Sequence, residues 1–181
     1  KNLKMDYQNI INNKRHNMNT KATNIKQRIK PNDVFITPLP LAKKQIDLIS
    51  ILPNEIWYDP FKNSGSYYNQ FPTENKEWSE ILYKRDFFEF NKTVDVIVSN
   101  PPYSFIDKVL YKCIELKPRV ISLLLGINNL TARRIEIMNE AGYGLKYLHM
   151  CKVFKWFGMS FIVHFEYGSD NCISYDRTVW R

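Results

Sequence analysis

Asn100-Pro101-Pro102-Tyr103 is the stretch whose residue types and spacing carry the most specific chemistry in this chain. It directly follows an apolar run, residues 94–98. Two consecutive prolines end a strand ladder there and hold the backbone extended, because each pushes the residue before it out of the α region. A rigid bend of this kind presents the Asn100 side-chain oxygen and the Pro101 carbonyl in one direction. Two fixed acceptors suit an NH2 group, which has two hydrogens to donate. An aromatic amine is a poor nucleophile because its lone pair is delocalised into the ring. Acceptors gripping both hydrogens favour the pyramidal geometry in which that lone pair can attack, and they act most strongly as the amine becomes cationic in the transition state. Tyr103 would stack on the plane of a base flipped out of its strand. Taken alone, the tetrapeptide also describes a plain strand-ending turn, so its position has to support the chemical reading.

That position comes from the elements around it. Short apolar runs recur along the chain, each followed by polar or turn-forming residues. Residues 55–58 end at Asp59-Pro60, 76–79 at Glu80, 94–98 at Ser99-Asn100, and 119–125 at Gly126. The third and fourth runs are β-branched or continuously apolar, as expected of strands buried on both faces of a parallel sheet. Between them residues 105–116 read as a helix with Ile106, Val109, Leu110, Cys113 and Ile114 on one face, and 131–141 reads as another. Thr37-Pro38-Leu39-Pro40 opens a helix whose apolar positions are Leu41, Ile46, Leu48 and Ile49. Residues 145–154 and 159–167 flank Lys155-Trp156-Phe157-Gly158 as a hairpin, with Gly158 available for a positive φ. Strand-helix alternation ending in a hairpin predicts an α/β three-layer sandwich with a mostly parallel sheet. In such sheets ligands bind beyond the carboxyl ends of the strands, where these polar residues fall.

Composition narrows the class. The 181 residues are 44% hydrophobic and 14% aromatic, which describes a globular chain. The net charge of +8 is concentrated at one end: residues 1–30 carry eight Lys/Arg against Asp6 alone, a net of +7, which leaves +1 for residues 31–181. We read 1–30 as a flexible basic tail of the sort that binds nucleic acid by releasing counterions, and 31–181 as a single domain. No apolar run approaches the roughly 20 residues that span a bilayer, and a secretory signal is absent from the N-terminus, so an intracellular protein is expected. Cys113, Cys151 and Cys172 are scattered without metal-ligand spacing and read as free thiols.

On these residues the chain resembles the class I Rossmann-like S-adenosyl-L-methionine-dependent amino-methyltransferases, specifically the adenine-N6 branch whose motif is NPPY or NPPF. Residues 33–167 follow that family's order. The resemblance implies a seven-stranded sheet with a C-terminal antiparallel hairpin, the NPPY segment after the fourth strand, and methyl transfer from S-adenosyl-L-methionine to N6 of adenine in DNA. Asp59-Pro60-Phe61-Lys62-Asn63-Ser64-Gly65 resembles the cofactor loop D-x-F-x-G-x-G, departing at Asn63. Asn best tolerates the left-handed region among non-glycine residues, so the tight turn survives the departure. By the same resemblance Asp59 would sit near the methionine ammonium, Gly65 would permit close backbone approach, and Glu80 would accept the ribose hydroxyls. Asp86 would accept from the cofactor's adenine amino group and Phe87 would pack on that ring. Thr37 and Pro38 match the TP element that holds the methionine carboxylate, and Trp156 or Phe157 would close on the target base opposite Tyr103.

Other acceptors share this chemistry. Glutamine carboxamides and RNA amines also present NH2 groups, and the basic tail with two hairpin aromatics favours nucleic acid. Cytosine C5 methylation needs a Pro-Cys nucleophile, which the sequence lacks. A catalytically silent nucleic-acid-binding or activating subunit is the reading from another class, against which the intact NPPY, Glu80 and Asp86 argue. Nothing between Tyr103 and the hairpin is long enough for a target-recognition domain, so recognition is short, or a second copy or partner subunit supplies it.

Overall fold

In a computed structural model of the chain, residues 35–153 and 159–178 are described, and they belong to one unit, Phe35–Arg181. Six strands and three α-helices position the site. In chain order they are α1 (Leu39–Asp47), β1 (Trp57–Asp59), β2 (Lys76–Trp78), β3 (Val96–Ser99), α2 (Ile106–Leu116), β4 (Val120–Gly126), α3 (Ala132–Glu140), β5 (Tyr143–Cys151) and β6 (Ser160–Tyr167). They form one sheet in the order β2-β1-β3-β4-β6-β5. The first four pair in parallel, and β6 runs antiparallel to both β4 and β5.

The two faces of the sheet follow from the alternation of side chains along each strand. Tyr58, Ile97, Ile121, Leu123, Leu125, Val163 and Phe165 share a core with Val109, Leu110 and Cys113 of α2 and Ile135 and Met138 of α3. On the opposite face Trp57, Val96, Val98 and Val120 pack with Ala42 and Ile46 of α1 and with Tyr67 and Phe71. Each fully buried Val, Ile or Leu of this kind contributes about 1.5–3 kcal/mol. The helix boundaries are local. Pro40 falls in the first turn of α1, where a missing N–H is harmless. Lys117 closes α2 at φ 54° ahead of Pro118. The Thr131 hydroxyl caps α3 by accepting from the Arg134 N–H.

Two expectations change. Among the described residues the sheet has six strands, not seven, and Asn100-Pro101-Pro102-Tyr103 follows the third. Residues 79–95 connect β2 to β3, and they are taken up by two 3-10 turns, Ile81–Tyr83 and Phe87–Glu89. A crossover helix and a further strand do not fit in what remains. Of the apolar positions expected for α1 and its end, Ile46 and Ile49 are buried and Leu41 and Leu48 half-buried, and Ala42 and Gln45 are buried with them. The hairpin of β5 and β6 is present. Its tip, with Trp156, Phe157 and Gly158, lies outside the described residues, as does the basic segment 1–30.

Candidate active site

Because β1, β2, β3 and β4 are parallel, the residues that end them fall on one edge of the sheet, and side chains join those ends pairwise. Asp59 ends β1 with no exposed surface. Its Oδ1 accepts from the Ser99 hydroxyl at the end of β3 (2.8 Å) and from the Phe61 N–H (3.3 Å). Its Oδ2 is buried without a hydrogen-bond partner. Burial outweighs these donors and pushes the carboxyl up to about 7. A buried carboxyl oxygen with nothing to accept from is a place for a cationic or N–H-bearing group, and this fits the ammonium expected there.

The loop after β1 is wound tightly enough to approach a ligand. Asn63 adopts φ 46°, as its tolerance of the left-handed region predicts, and Gly65 adopts φ 87°. At that φ a side chain is strained, and a Cβ at Gly65 would also lie 2.7 Å from Asn69 Nδ2, whose side chain would have to move. Glu80, at the end of β2, clamps the loop: its Oε2 accepts from the Asn63 N–H (2.9 Å) and its Oε1 from the Leu82 N–H (3.2 Å). Oxygens with two lone pairs each retain capacity for hydroxyl donors. Asp86 caps the next 3-10 turn by accepting from the Phe88 N–H (2.9 Å). Phe87 is only 2% exposed, its ring enclosed by Tyr58, Phe61 and Phe88. Its ring meets Phe61 edge-on, with centroids 5.1 Å apart.

At the end of β3, Asn100 Nδ2 donates to Thr37 Oγ1 (3.3 Å). Thr37 is thus attached to the NPPY segment, while the Pro38 carbonyl accepts the Leu41 and Ala42 N–H groups that begin α1. Engaging the Asn100 NH2 with Thr37 turns Oδ1, on the other branch of the amide, away from it. Pro101 is buried, Pro102 is half-buried, and Tyr103 opens a 3-10 turn. The Tyr103 ring lies across the end of β4, and a Cβ at Gly126 would be 3.2 Å from it. Burial raises the Tyr103 phenol to about 12, so it stays neutral.

Three residues at this edge carry no signal strong enough to be singled out by sequence. Ser99 reaches Asp59 across the sheet, and only its place before Asn100 hinted at this. Gly126 was visible as a strand end, but its clearance for Tyr103 was not. Tyr67, 3% exposed, has Asp59, Tyr103 and Cys151 as electrostatic neighbours, which puts its phenol among the site residues. Its aromatic type predicts core packing only.

No protein-family model and no curated protein sequence matches the chain. Solved structures do match its fold. A protein from Pyrococcus horikoshii, described as a candidate RNA methyltransferase, superposes with TM-score 0.60 at 17% identity over 74% of this chain and 87% of its own. The modification subunit of a candidate type I restriction enzyme from Vibrio vulnificus YJ016 gives TM-score 0.53 at 13% identity. The match covers 77% of this chain but 46% of that subunit. Magnesium protoporphyrin IX methyltransferase from Synechocystis PCC 6803, solved with bound S-adenosylmethionine, gives 0.52 at 12% identity over 82% and 92% of the two chains. The chain therefore has the Rossmann-like fold of the S-adenosylmethionine-dependent methyltransferases, with Asn-Pro-Pro-Tyr at the carboxyl end of its third strand.

Proposed function

We propose that this protein transfers a methyl group from S-adenosyl-L-methionine to N6 of adenine in DNA, taking the base flipped out of its strand. The observation that carries the reading is the amide of Asn100. Its NH2 is held by Thr37, which turns its carbonyl toward an incoming amine, on the same sheet edge as the unpartnered Asp59 oxygen.

The cofactor supplies an electrophilic methyl group on a sulfonium. Asp59 Oδ2 would receive the ammonium of its methionine part, Gly65 would let it come close to the backbone, and Glu80 would take its ribose hydroxyls. Asn100 Oδ1 and the Pro101 carbonyl accept the two hydrogens of the target amine. The cofactor would supply its methyl group to the nitrogen lone pair, the C–S bond giving way to the N–C bond, and the amine's surplus proton would go to water. Stabilising the developing positive charge on nitrogen is what these two acceptors contribute to rate. Tyr103 and an aromatic of the hairpin tip, Trp156 or Phe157, hold the base by stacking, worth about 1–3 kcal/mol per base.

The test is transfer of labelled methyl to DNA, RNA and a glutamine-containing peptide, with Asn100→Ala as control. N6-methyladenine in DNA that disappears in the variant is the expected result. Label in the peptide alone would make the acceptor a carboxamide. An RNA substrate is the second reading; a structure described as a candidate RNA methyltransferase shares the fold over 74% of this chain.

A further inference from the structure

The turn that follows β4 brings a second amide up to the NPPY segment. Gly126 ends the strand, and Ile127–Asn129 form a 3-10 turn. Both ends of that turn are fixed: the Ile127 N–H donates to the Met159 carbonyl (3.0 Å), and the Asn129 carbonyl accepts from Arg134 Nη1 (2.7 Å). Arg134 also donates from Nε to Asp107 Oδ1 (2.8 Å). Asp107 lies in the first turn of α2, which starts directly after the Tyr103–Phe105 turn. Arg134 therefore ties the turn after β4 to the segment that carries the Tyr103 ring.

The same guanidinium sets which way the Asn129 amide points. Its Nη1 donates to Asn129 Oδ1 as well (3.4 Å). A guanidinium has five N–H donors and no acceptor, so the amide oxygen must face it and the NH2 must face away. The NH2 is turned toward Gly126. A Cβ there would lie 3.2 Å from Tyr103 Cε2 and 3.6 Å from Asn129 Nδ2, so ring and NH2 border the same bare stretch of backbone. Asn129 is half-buried, and among the described residues nothing accepts from its NH2. A planar group stacked on Tyr103 would turn its edge toward this donor.

We propose that Asn129, oriented by Arg134, is a specificity-determining residue whose NH2 donates to a ring nitrogen of the target base. In adenine, N1 and N7 are acceptors on either side of the carbon that bears the amine. A glutamine carboxamide has no ring nitrogen to offer. The inference rests on the adenine reading proposed above, and the experiment separates the two. Oligodeoxynucleotides with 7-deazaadenine or 1-deazaadenine at the methylated position each lose one acceptor and keep the amine. One of them should lower kcat/KM about 10-fold, the size of one neutral hydrogen bond. Asn129→Ala should lower kcat/KM for adenine by a similar factor and no longer distinguish adenine from that analogue, while cofactor Kd stays within about two-fold. Asn129→Asp keeps an oxygen for Arg134 and gains an ion pair with it, but has no N–H to donate. It should therefore be no better than Asn129→Ala, whereas a residue that only holds the turn would tolerate the change. Binding reads the contact without turnover: dAMP, added with S-adenosylhomocysteine, should shift the Asn129 side-chain NH2 resonances in the NMR spectrum, and one of the two deaza nucleotides should not. An Asn129→Asp enzyme with natural kcat/KM, an analogue effect that persists in Asn129→Ala, or resonances that dAMP leaves unmoved would overturn the inference. If dAMP moves them and the protein methylates no adenine, the function proposal fails alone.

Discussion

Replacing Asp59 with asparagine tests the electrostatics of the donor side. Burial raises the carboxyl from 3.8 to about 7, so the folded protein holds a proton there that the unfolded chain has already lost. Between those two values stability falls as pH rises, and above about 7 both states are ionised and the penalty is constant. At about 1.4 kcal/mol per pH unit, ionised Asp59 costs the ligand-free fold on the order of 4 kcal/mol. The amide of the Asp59→Asn variant is neutral at every pH and keeps an oxygen for Ser99 and Phe61. Unfolding free energies of the two proteins, measured in urea from pH 4 to 8, should therefore diverge steadily in favour of the variant up to about pH 7 and then run parallel. The same substitution should weaken cofactor binding, because a cation at Oδ2 prefers a carboxylate. In the natural protein at pH 7 about half the Asp59 carboxyls are protonated, so binding should release close to half a proton. Calorimetry in buffers of different ionisation enthalpy reads that number directly. A stability difference independent of pH, together with no proton released on binding, would refute the reasoning.

Other consequences can be checked separately. His164 is buried without a hydrogen bond to either ring nitrogen, and burial lowers its pKa to about 4 despite Glu166 Oε2 at 3.6 Å from Nε2, so the fold loses stability as pH drops from 6.5 toward 4. This opposes the Asp59 slope, and His164→Phe should therefore melt with less acid sensitivity than the natural protein. Gly65→Ala places a methyl group 2.7 Å from Asn69 Nδ2 at φ 87°; weaker cofactor binding by calorimetry is expected, with stability down by roughly 1 kcal/mol or more. Gly126→Val pushes on the Tyr103 ring from 3.2 Å and should raise KM for the target more than it changes cofactor Kd. Deleting residues 1–30 removes a net +7, which should weaken DNA binding and flatten its dependence on salt concentration; an unchanged slope in a filter or anisotropy titration would sink the tail's role.

What the sequence determined by itself is local and periodic. The continuous apolar run of β4 reads as a strand buried on both faces, and it is one. The face of α2 carrying Val109, Leu110 and Cys113 is where the periodicity puts it. The tolerance of Asn63 for positive φ, the stop imposed by Pro101-Pro102 and the β5–β6 pairing were likewise legible, because each depends on neighbours a few residues away. Tertiary structure decided the rest. Thr37 meets Asn100 across 63 residues and Ser99 meets Asp59 across 40, and both pairings depend on strand order and register. The absence of a seventh strand among the described residues depends on two short turns consuming the connection after β2. The proton on Asp59 depends on how completely neighbouring elements exclude water. Asn100 shows the division most clearly: its type predicts that it can either donate or accept, and only packing determines which face of its amide is turned outward.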